Sequence, residues 1–163
     1  ELVRTRLELR GSEILVDAYA GVGTFAVLFA PSVRRVIAIE ESAAAIRDMA
    51  INTLDIDNLM FIERNAEEAL DSLDEEPDAV ILDPPRVGCH PGTLQALIRR
   101  TPPRVVYVSC DPETLMRDLQ VLVRGGFRVK SIEPVDMFPQ THHVECVATL
   151  EYESRTGDWG VVV

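Results

Sequence analysis

Cys110 stands at a position suited to a nucleophile. It ends an apolar run, VVYVSC, and is followed at once by Asp111 and Pro112, where a helix is predicted to begin. A helix N-terminus has free N–H groups and about half a positive charge, which favour a thiolate. The cation of Arg86 would add to that effect, and Asp111 would oppose it. The alternative is a small packing residue, because free cysteine is often buried.

Glu145 is the second candidate reactive group. It lies in the segment DMFPQTHHVECV, on the last predicted strand. A cysteine and a separate carboxylate answer one chemical problem, because C5 of uracil is too weak a nucleophile to accept a methyl group unaided. Addition of a thiolate to C6 makes C5 an enolate carbon, and a base then removes the C5 proton before the thiol leaves. Glu145 is the predicted base, with Cys110 as the nucleophile.

The same segment contains an aromatic side chain and two histidines. Phe138 is predicted either to stack on a base, as aromatic faces do in RNA recognition, or to pack in the core. His142 and His143 have no third ligand at a useful spacing, so we predict no metal site. Because strand side chains alternate, Cys146 should face away from Glu145 and lie in the core.

A glycine-rich turn, DAYAGVGTF, starts at Asp17 and predicts a nucleotide pocket. Gly21 and Gly23 let the backbone approach a ligand, and Glu40, at the end of the next strand, can accept both hydroxyls of a ribose. Asp17 suits the cationic amino group of a methionine moiety, and the turn has no basic residue for a pyrophosphate. These features favour S-adenosylmethionine. A nicotinamide dinucleotide stays open, because Ala26 fits its fingerprint, as does a plain strand–helix turn.

The segment ILDPPRVG places Asp83 before two prolines. Pro84 and Pro85 fix the backbone and hold the following loop away from the strand. An acidic tip stiffened by prolines suits the gripping of a flat base, although a helix-entry turn is an alternative. Cys89, in the same loop, is predicted to be a packing residue.

The elements that must position these residues alternate between strands and helices. Such alternation predicts an α/β fold with a doubly wound, mostly parallel, Rossmann-like sheet, and the last two strands predict an antiparallel edge pair. The predicted strands are 13–20, 34–40, 59–65, 77–85, 103–110, 127–138 and 142–153, and the predicted helices are 24–32, 42–56, 66–73, 91–100 and 112–126. The ends of the first five strands gather Asp17, Glu40, Asn65, Asp83 and Cys110 at one rim.

Composition limits the classes of protein that fit. The 163 residues suit one domain, which we assign to 1–152, with a poorly ordered tail at 153–163. A net charge of −11 argues against a nucleic-acid grip by this chain alone. Three cysteines without a CxxC spacing favour a reducing, cytoplasmic setting, and no apolar run approaches the roughly 18–20 residues that span a bilayer. The absence of an initial methionine leads us to expect a piece of a longer protein.

Four motifs, in this order, carry a family resemblance: DAYAGVGTF, DPPRVG, VSCDP and DMFPQTHHVE. Over about 13–150 the chain resembles the catalytic domain of the RNA uracil-C5 methyltransferases, which make 5-methyluridine in tRNA or ribosomal RNA. The resemblance implies a class I methyltransferase fold, with Cys110 as nucleophile and Glu145 as proton acceptor. It also implies that Arg86 shapes the site. The residues that it implies around S-adenosylmethionine are Tyr19, Thr24, Glu40 and Asp83.

The chain departs from the family pattern in three respects. Family members usually carry an N-terminal RNA-binding β-barrel and a middle domain, sometimes with an iron–sulfur cluster, and neither is found here. A donor-contacting glutamine before the first strand is also missing, and Ala20 occupies a position that is often cysteine. We therefore expect the RNA to be gripped mainly by domains outside this chain. We expect the chain alone to bind the methyl donor weakly and to methylate RNA poorly or not at all.

Two further functions remain open at this stage. An RNA cytosine-C5 methyltransferase also uses a cysteine, although the HVE segment favours uracil. A non-catalytic module that binds S-adenosylmethionine or a nucleotide would keep the pocket without turnover. Neither the RNA nor the methylated position follows from the sequence, and the oligomeric state does not follow either.

Overall fold

The computed structural model describes residues 1–135 and 145–153, and within them a seven-stranded sheet forms the centre of the protein. The strand order is β3-β2-β1-β4-β5-β7-β6. Strands β1 to β5 pair in parallel, whereas β7 is antiparallel to both of its neighbours. The strands are β1 Ile14–Asp17, β2 Arg35–Glu40, β3 Leu59–Glu63, β4 Ala79–Leu82, β5 Arg104–Ser109, β6 Phe127–Val135 and β7 Glu145–Tyr152.

Six α-helices flank this sheet in the described ranges. They are α1 Leu2–Leu7, α2 Thr24–Phe29, α3 Ala43–Asn52, α4 Ala66–Asp71, α5 Pro91–Arg100 and α6 Pro112–Arg124. The predicted α/β fold, with its mostly parallel sheet and antiparallel pair, is confirmed. The prediction did not include α1, and it did not foresee that β7 is inserted between β5 and β6.

The helices cover both faces of the sheet, which explains the unbroken apolar runs of its central strands. In β1 and β4 every residue is buried. Alternate residues of β4 face opposite sides, with Val80 and Leu82 in the core under α4, α5 and α6, and Ile81 in the core under α1, α2 and α3. Burial on both faces is typical of parallel strands.

Helix α6 has strong local signals at its N-terminus. The Asp111 carboxylate accepts hydrogen bonds from the backbone N–H groups of Glu113 and Thr114, both at 3.0 Å, and Pro112 lies in the first turn. A side-chain cap and an early proline are standard features of a helix start. The helix therefore begins two residues after Cys110, as the sequence predicts.

Some predictions fall outside the described residues. These are Phe138, His142 and His143, and all of the 153–163 tail except Glu153. None of the helices in the described ranges is both long and apolar enough to cross a membrane. Within the same ranges, histidine, cysteine and acidic side chains do not gather in groups of three or more that could hold a metal ion.

Candidate active site

A cavity of about 930 Å³ lies at the carboxyl ends of the parallel strands. Its wall includes four of the residues predicted from sequence, namely Tyr19, Gly21, Glu40 and Asp83. Other predicted site residues, among them Cys110 and Glu145, lie outside the residues that line it. The cavity therefore brings together part of the predicted donor-binding set, and Cys110 and Glu145 are not among the residues of its wall.

The glycine turn and Glu40 are joined by backbone hydrogen bonds. Gly21 N–H donates to Glu40 Oε2 at 2.9 Å, and Ser42 N–H donates to Oε1 at 2.8 Å. Both oxygens keep lone pairs that can accept from a ligand. At Gly23, φ is 88° and an added Cβ would lie 2.7 Å from Met49 Cγ, so a side chain does not fit there. The turn thus holds the Glu40 carboxylate at the cavity.

Thr24 follows this turn as the first residue of α2 and is exposed to solvent. Neither Thr24 nor Gly23 is among the residues that line the cavity. Their predicted contacts with a donor remain predictions.

Asp17 is a fully buried carboxylate at the end of β1. Within the described ranges, neither of its oxygens has a hydrogen-bond partner of ordinary geometry. Burial, and then the negative charge of Asp83, raise the pKa of Asp17 to about 7, although the backbone amides of Tyr19 and Ala26 oppose the increase. An unpaired buried carboxylate is costly, and a cation placed nearby lowers that cost. Asp17 is not among the residues that line the cavity, so its contact with the cationic amino group of a methyl donor stays a prediction.

Tyr19 forms part of the wall between β1 and α5. Its hydroxyl donates to Thr93 Oγ1 at 3.1 Å and accepts from His90 N–H at 3.4 Å. Thr93 in turn donates to Glu67 Oε2 at 3.4 Å. Burial raises the pKa of Tyr19, so its hydroxyl stays protonated and can donate. The ring is thus held in place by a chain of polar contacts.

Asp83 follows the last residue of β4 and lies in the wall of the cavity. Loss of surrounding water, and then the charge of Glu145, raise the pKa of Asp83 to about 6, even though the residue stays open to solvent. Asp83 also contributes to the raised pKa of Asp17. The charge of Glu145 thus acts on Asp83, and the charge of Asp83 acts on Asp17.

The register of β5 and β7 brings Cys110 and Glu145 to the same end of the sheet. Ser109, the last residue of β5, pairs with Cys146 in the antiparallel β7. Cys110 follows directly after β5, and Glu145 is the first residue of β7, so both residues lie at this end of the sheet. Cys110 is partly exposed, whereas the free thiols of Cys89 and Cys146 are buried.

Arg86 is an exposed residue of the loop between β4 and α5. Hydrogen bonds from the backbone amides of Thr114 and Glu113 hold the pKa of Asp111 below its usual value, and the charge of Arg86 lowers it further. The guanidinium is thus within electrostatic reach of the residue after Cys110.

Sequence reasoning placed Asn65 at the rim, and Asn65 does line the cavity, but it missed that the Asn65 side chain caps α4 by accepting from Glu68 N–H at 3.1 Å. Asp118 was not singled out, although it interrupts an apolar stripe of Leu115, Leu119 and Leu122 on α6. An acidic residue on the buried face of a helix is a signal of a buried polar contact.

Comparison with known proteins adds independent evidence. Residues 7–153 match the family model described as tRNA (uracil-5-)-methyltransferase. An uncharacterized RNA methyltransferase of Thermotoga maritima is 43% identical over 144 residues, which are 87% of this chain and 33% of that protein. One of Synechocystis is 45% identical over 160 residues, 93% of this chain and 34% of that protein.

A solved structure resembles the whole fold. The Pyrococcus abyssi tRNA (uracil-54, C5)-methyltransferase, in complex with S-adenosyl-L-homocysteine, matches with a TM-score of 0.75 and 39% identity. The match covers 91% of this chain and 37% of that one. This chain therefore spans about a third of the length of the curated relatives that it matches. On the family match and these relatives together, the chain belongs to the tRNA (uracil-5-)-methyltransferase family.

Proposed function

We propose that the chain is the catalytic domain of an RNA methyltransferase that transfers a methyl group from S-adenosylmethionine to C5 of a uridine in tRNA or ribosomal RNA. The observation that carries the proposal is the register of β5 and β7, which pairs Ser109 with Cys146 and so brings Cys110 and Glu145 to the same end of the sheet. Family membership supports the same reaction.

The donor side offers a suitable group for each part of S-adenosylmethionine. Glu40 can accept the two ribose hydroxyls, since its oxygens are already oriented by the turn. The unpaired Asp17 suits the cationic end of the donor. Tyr19 and Asp83 supply the remaining polar wall, and the glycine turn leaves room for close approach. The residues present therefore fit this cofactor.

The chemistry of this chain begins at the thiol. S-adenosylmethionine, when bound, supplies an electrophilic methyl group. The Cys110 thiolate adds to C6 of uracil, which forms an S–C6 bond and moves the electron pair of the C5–C6 double bond to C5 and the O4 enolate. C5 thereby becomes nucleophilic enough to form a carbon–carbon bond to that methyl group, whose bond to the sulfonium sulfur would break and leave S-adenosylhomocysteine.

Glu145 completes the cycle as a general base. After methylation, C5 carries both the methyl group and a proton. The Glu145 carboxylate accepts that proton, the C5–C6 double bond re-forms, and the S–C6 bond breaks to return the Cys110 thiolate. No redox step is involved.

Binding of RNA is assigned mainly to parts of the protein outside this chain. The net charge of −11 disfavours phosphate contacts by this chain alone. The chain also spans only about a third of its relatives. We place the reaction in the cytoplasm, in line with three cysteines that have no CxxC spacing.

A covalent trap tests the proposal. The chain, within the longer protein to which RNA binding is assigned, is incubated with S-adenosylmethionine and a high concentration of a tRNA or ribosomal RNA stem-loop in which uridine is replaced by 5-fluorouridine. Because fluorine at C5 cannot leave as a proton does, the S–C6 bond should persist and appear as a protein–RNA adduct on a denaturing gel. Peptide mass spectrometry should locate the bond at Cys110.

Control variants and a second RNA analogue make the covalent-adduct experiment specific. Cys110→Ala should lose the adduct, whereas Cys89→Ala should keep it. An adduct with 5-fluorocytidine RNA alone would favour the cytosine-C5 alternative. Binding of S-adenosylhomocysteine by calorimetry, without any adduct, would favour the non-catalytic module and contradict the proposal.

A further inference from the structure

A cluster of polar side chains lies buried behind the loop that joins β4 to α5. At its centre is Asp118 on α6, which is 1% exposed. Its Oδ2 accepts from the Tyr107 hydroxyl at 2.7 Å and from Cys89 N–H at 2.8 Å. Its Oδ1 accepts from Arg117 Nε at 2.9 Å. Hydrogen bonds to its oxygens lower the cost of burying a carboxylate, and these donors hold Asp118 in one place.

The same cluster holds the loop by its backbone. Arg117 Nη2 donates to Val87 O at 2.8 Å, and the Thr114 hydroxyl donates to Arg86 O at 3.2 Å. At Gly88, where φ is 82°, an added Cβ would lie 2.4 Å from Arg117 Nη2 and 2.6 Å from Asp118 Oδ2. The loop therefore approaches α6 so closely that a side chain at position 88 would collide with the pair.

This attachment links two parts of the proposed site. The loop carries Arg86, and α6 begins directly after Cys110 and Asp111. The charge of Arg86 already acts on Asp111. Because loop and helix are joined at consecutive residues, the attachment limits how far the guanidinium can move from the start of the helix.

Packing alone does not account for the acidic residue at this position. Leu115, Leu119 and Leu122 form the buried stripe of α6, and an apolar residue at position 118 would extend that stripe without burying a charge. Replacing buried ionic groups with apolar ones is often neutral or stabilising. Asp118 instead binds the loop: it accepts from the Cys89 amide and holds Arg117, which donates to Val87 O. These contacts position the loop on α6.

We propose that Asp118 and Arg117 are positioning residues that hold the 83–89 loop on α6 and thereby keep the Arg86 guanidinium beside the Cys110 thiol. The inference deepens the proposed function, on which it rests, by naming residues that act on the site without touching RNA or donor. It predicts that loss of either side chain lets Arg86 move away from the thiol.

Alkylation of Cys110 by two reagents tests this inference without RNA or S-adenosylmethionine. The thiolate reacts with neutral iodoacetamide and with anionic iodoacetate, so the thiolate fraction cancels in the ratio of the two rate constants. That ratio reports the local positive charge. Cys89 and Cys146 are buried, and peptide mass spectrometry separates their products from those of Cys110.

Arg86→Met shows how far the rate ratio falls when the Arg86 charge is lost completely. It should lower the iodoacetate-to-iodoacetamide ratio roughly two- to fivefold at low ionic strength. Arg117→Met and Asp118→Asn should lower the ratio toward the Arg86→Met value, and 1 M salt should abolish the differences. Arg124→Met, on the exposed end of the same helix, should leave the ratio unchanged. Should Asp118→Asn fail to fold, Arg117→Met carries the test, because that side chain is 56% exposed.

Two results would overturn the inference. One is a ratio that falls in Arg86→Met but keeps its parent value in Arg117→Met and Asp118→Asn. The other is a ratio that Arg86→Met leaves unchanged, since Arg86 would then not lie beside the thiol. Failure of the proposed methylation would appear instead as a missing adduct with an unchanged alkylation ratio, so the two failures are distinguishable.

Discussion

The donor side and the thiol side of the site are built in different ways. On the donor side, Asp17, the glycine turn and Glu40 come from one continuous strand–helix–strand unit, and backbone hydrogen bonds to Glu40 hold the turn. On the thiol side, Asp83, Cys110 and Glu145 come from three separate strands. Cys110 and Glu145 reach the same end of the sheet because β7 is inserted beside β5.

The difference bears on how each side should fail. Donor binding is divided over several contacts, so loss of one should weaken it by a limited factor. The thiol side concentrates the chemistry in one nucleophile and one base, so loss of either should stop or stall turnover. The following four changes test this contrast.

Cys110→Ala should have the largest effect. Methylation of a uridine-containing RNA by the protein should fall by about 10⁴-fold or more, because no other group can form the bond to C6. Binding of S-adenosylhomocysteine, measured by calorimetry, should stay at the parent value. Methylation by the variant above about 1% of the parent rate would remove Cys110 from the mechanism.

Glu145→Gln should slow turnover by roughly 10²- to 10⁴-fold, the range for loss of a general base. Since the thiol is intact, the variant should accumulate a covalent adduct between Cys110 and an RNA that contains ordinary uridine, already methylated at C5. The parent protein breaks down this adduct quickly. Denaturing gels and mass spectrometry would detect it. Glu113→Gln, exposed on the first turn of α6, serves as the control. A slow variant without any adduct would assign Glu145 another role.

Asp17→Asn should change the pH dependence of stability of the unliganded protein. The folded pKa of about 7 lies above the unfolded value near 3.8, so between these values the folded state binds the extra proton. The contribution of Asp17 to the free energy of unfolding is therefore fully present below about pH 4. It decreases by about 1.4 kcal/mol per pH unit as the pH rises toward 7. The variant should lack this slope and gain stability at pH 8.

Urea unfolding between pH 5 and pH 8 measures this slope. The difference between parent and variant isolates Asp17 from other titrating groups. Asp48→Asn, at an exposed position on α3, should keep the parent profile. Identical slopes of unfolding free energy against pH in Asp17→Asn and the parent would show that burial does not raise the pKa of Asp17.

Glu40→Ala should have the smallest effect of the four. Loss of hydrogen bonds to a charged acceptor costs roughly 1.5–3 kcal/mol, which corresponds to about a tenfold to hundredfold weaker Kd for S-adenosylhomocysteine. Calorimetry measures it directly. Glu63→Ala, exposed on the edge strand β3, is the matched control. Unchanged affinity in Glu40→Ala would place the ribose elsewhere.

The donor side could be predicted largely from sequence, because its signals are local. A buried strand, two glycines and a carboxylate at the next strand end lie within one short stretch, and the backbone conformation that the glycines allow defines the turn. The N-terminus of α6 was predictable for the same reason, since Asp111 and Pro112 act on their own helix.

Features that depend on distant partners could not be predicted in this way. Helix α1 has no side-chain cap, and its Arg6 pairs with Glu133 of β6, far along the chain. The burial of Asp118 depends on Tyr107 and the Cys89 amide, which lie on other elements. Neither partner is visible in the pattern of the helix itself.

The sequence by itself determined the alternation of strands and helices, the glycine turn with its acidic neighbours, and the reactive side chains at the strand ends, because these follow from periodicity, capping and backbone conformation within short segments. Only the tertiary structure decided that β7 enters the sheet beside β5, that Glu145 thereby lies at the same end of the sheet as Cys110, and that the buried Asp118 carboxylate binds the backbone of the loop between β4 and α5. The physical reason is that strand pairing and burial of charge depend on groups that meet only when the chain has folded.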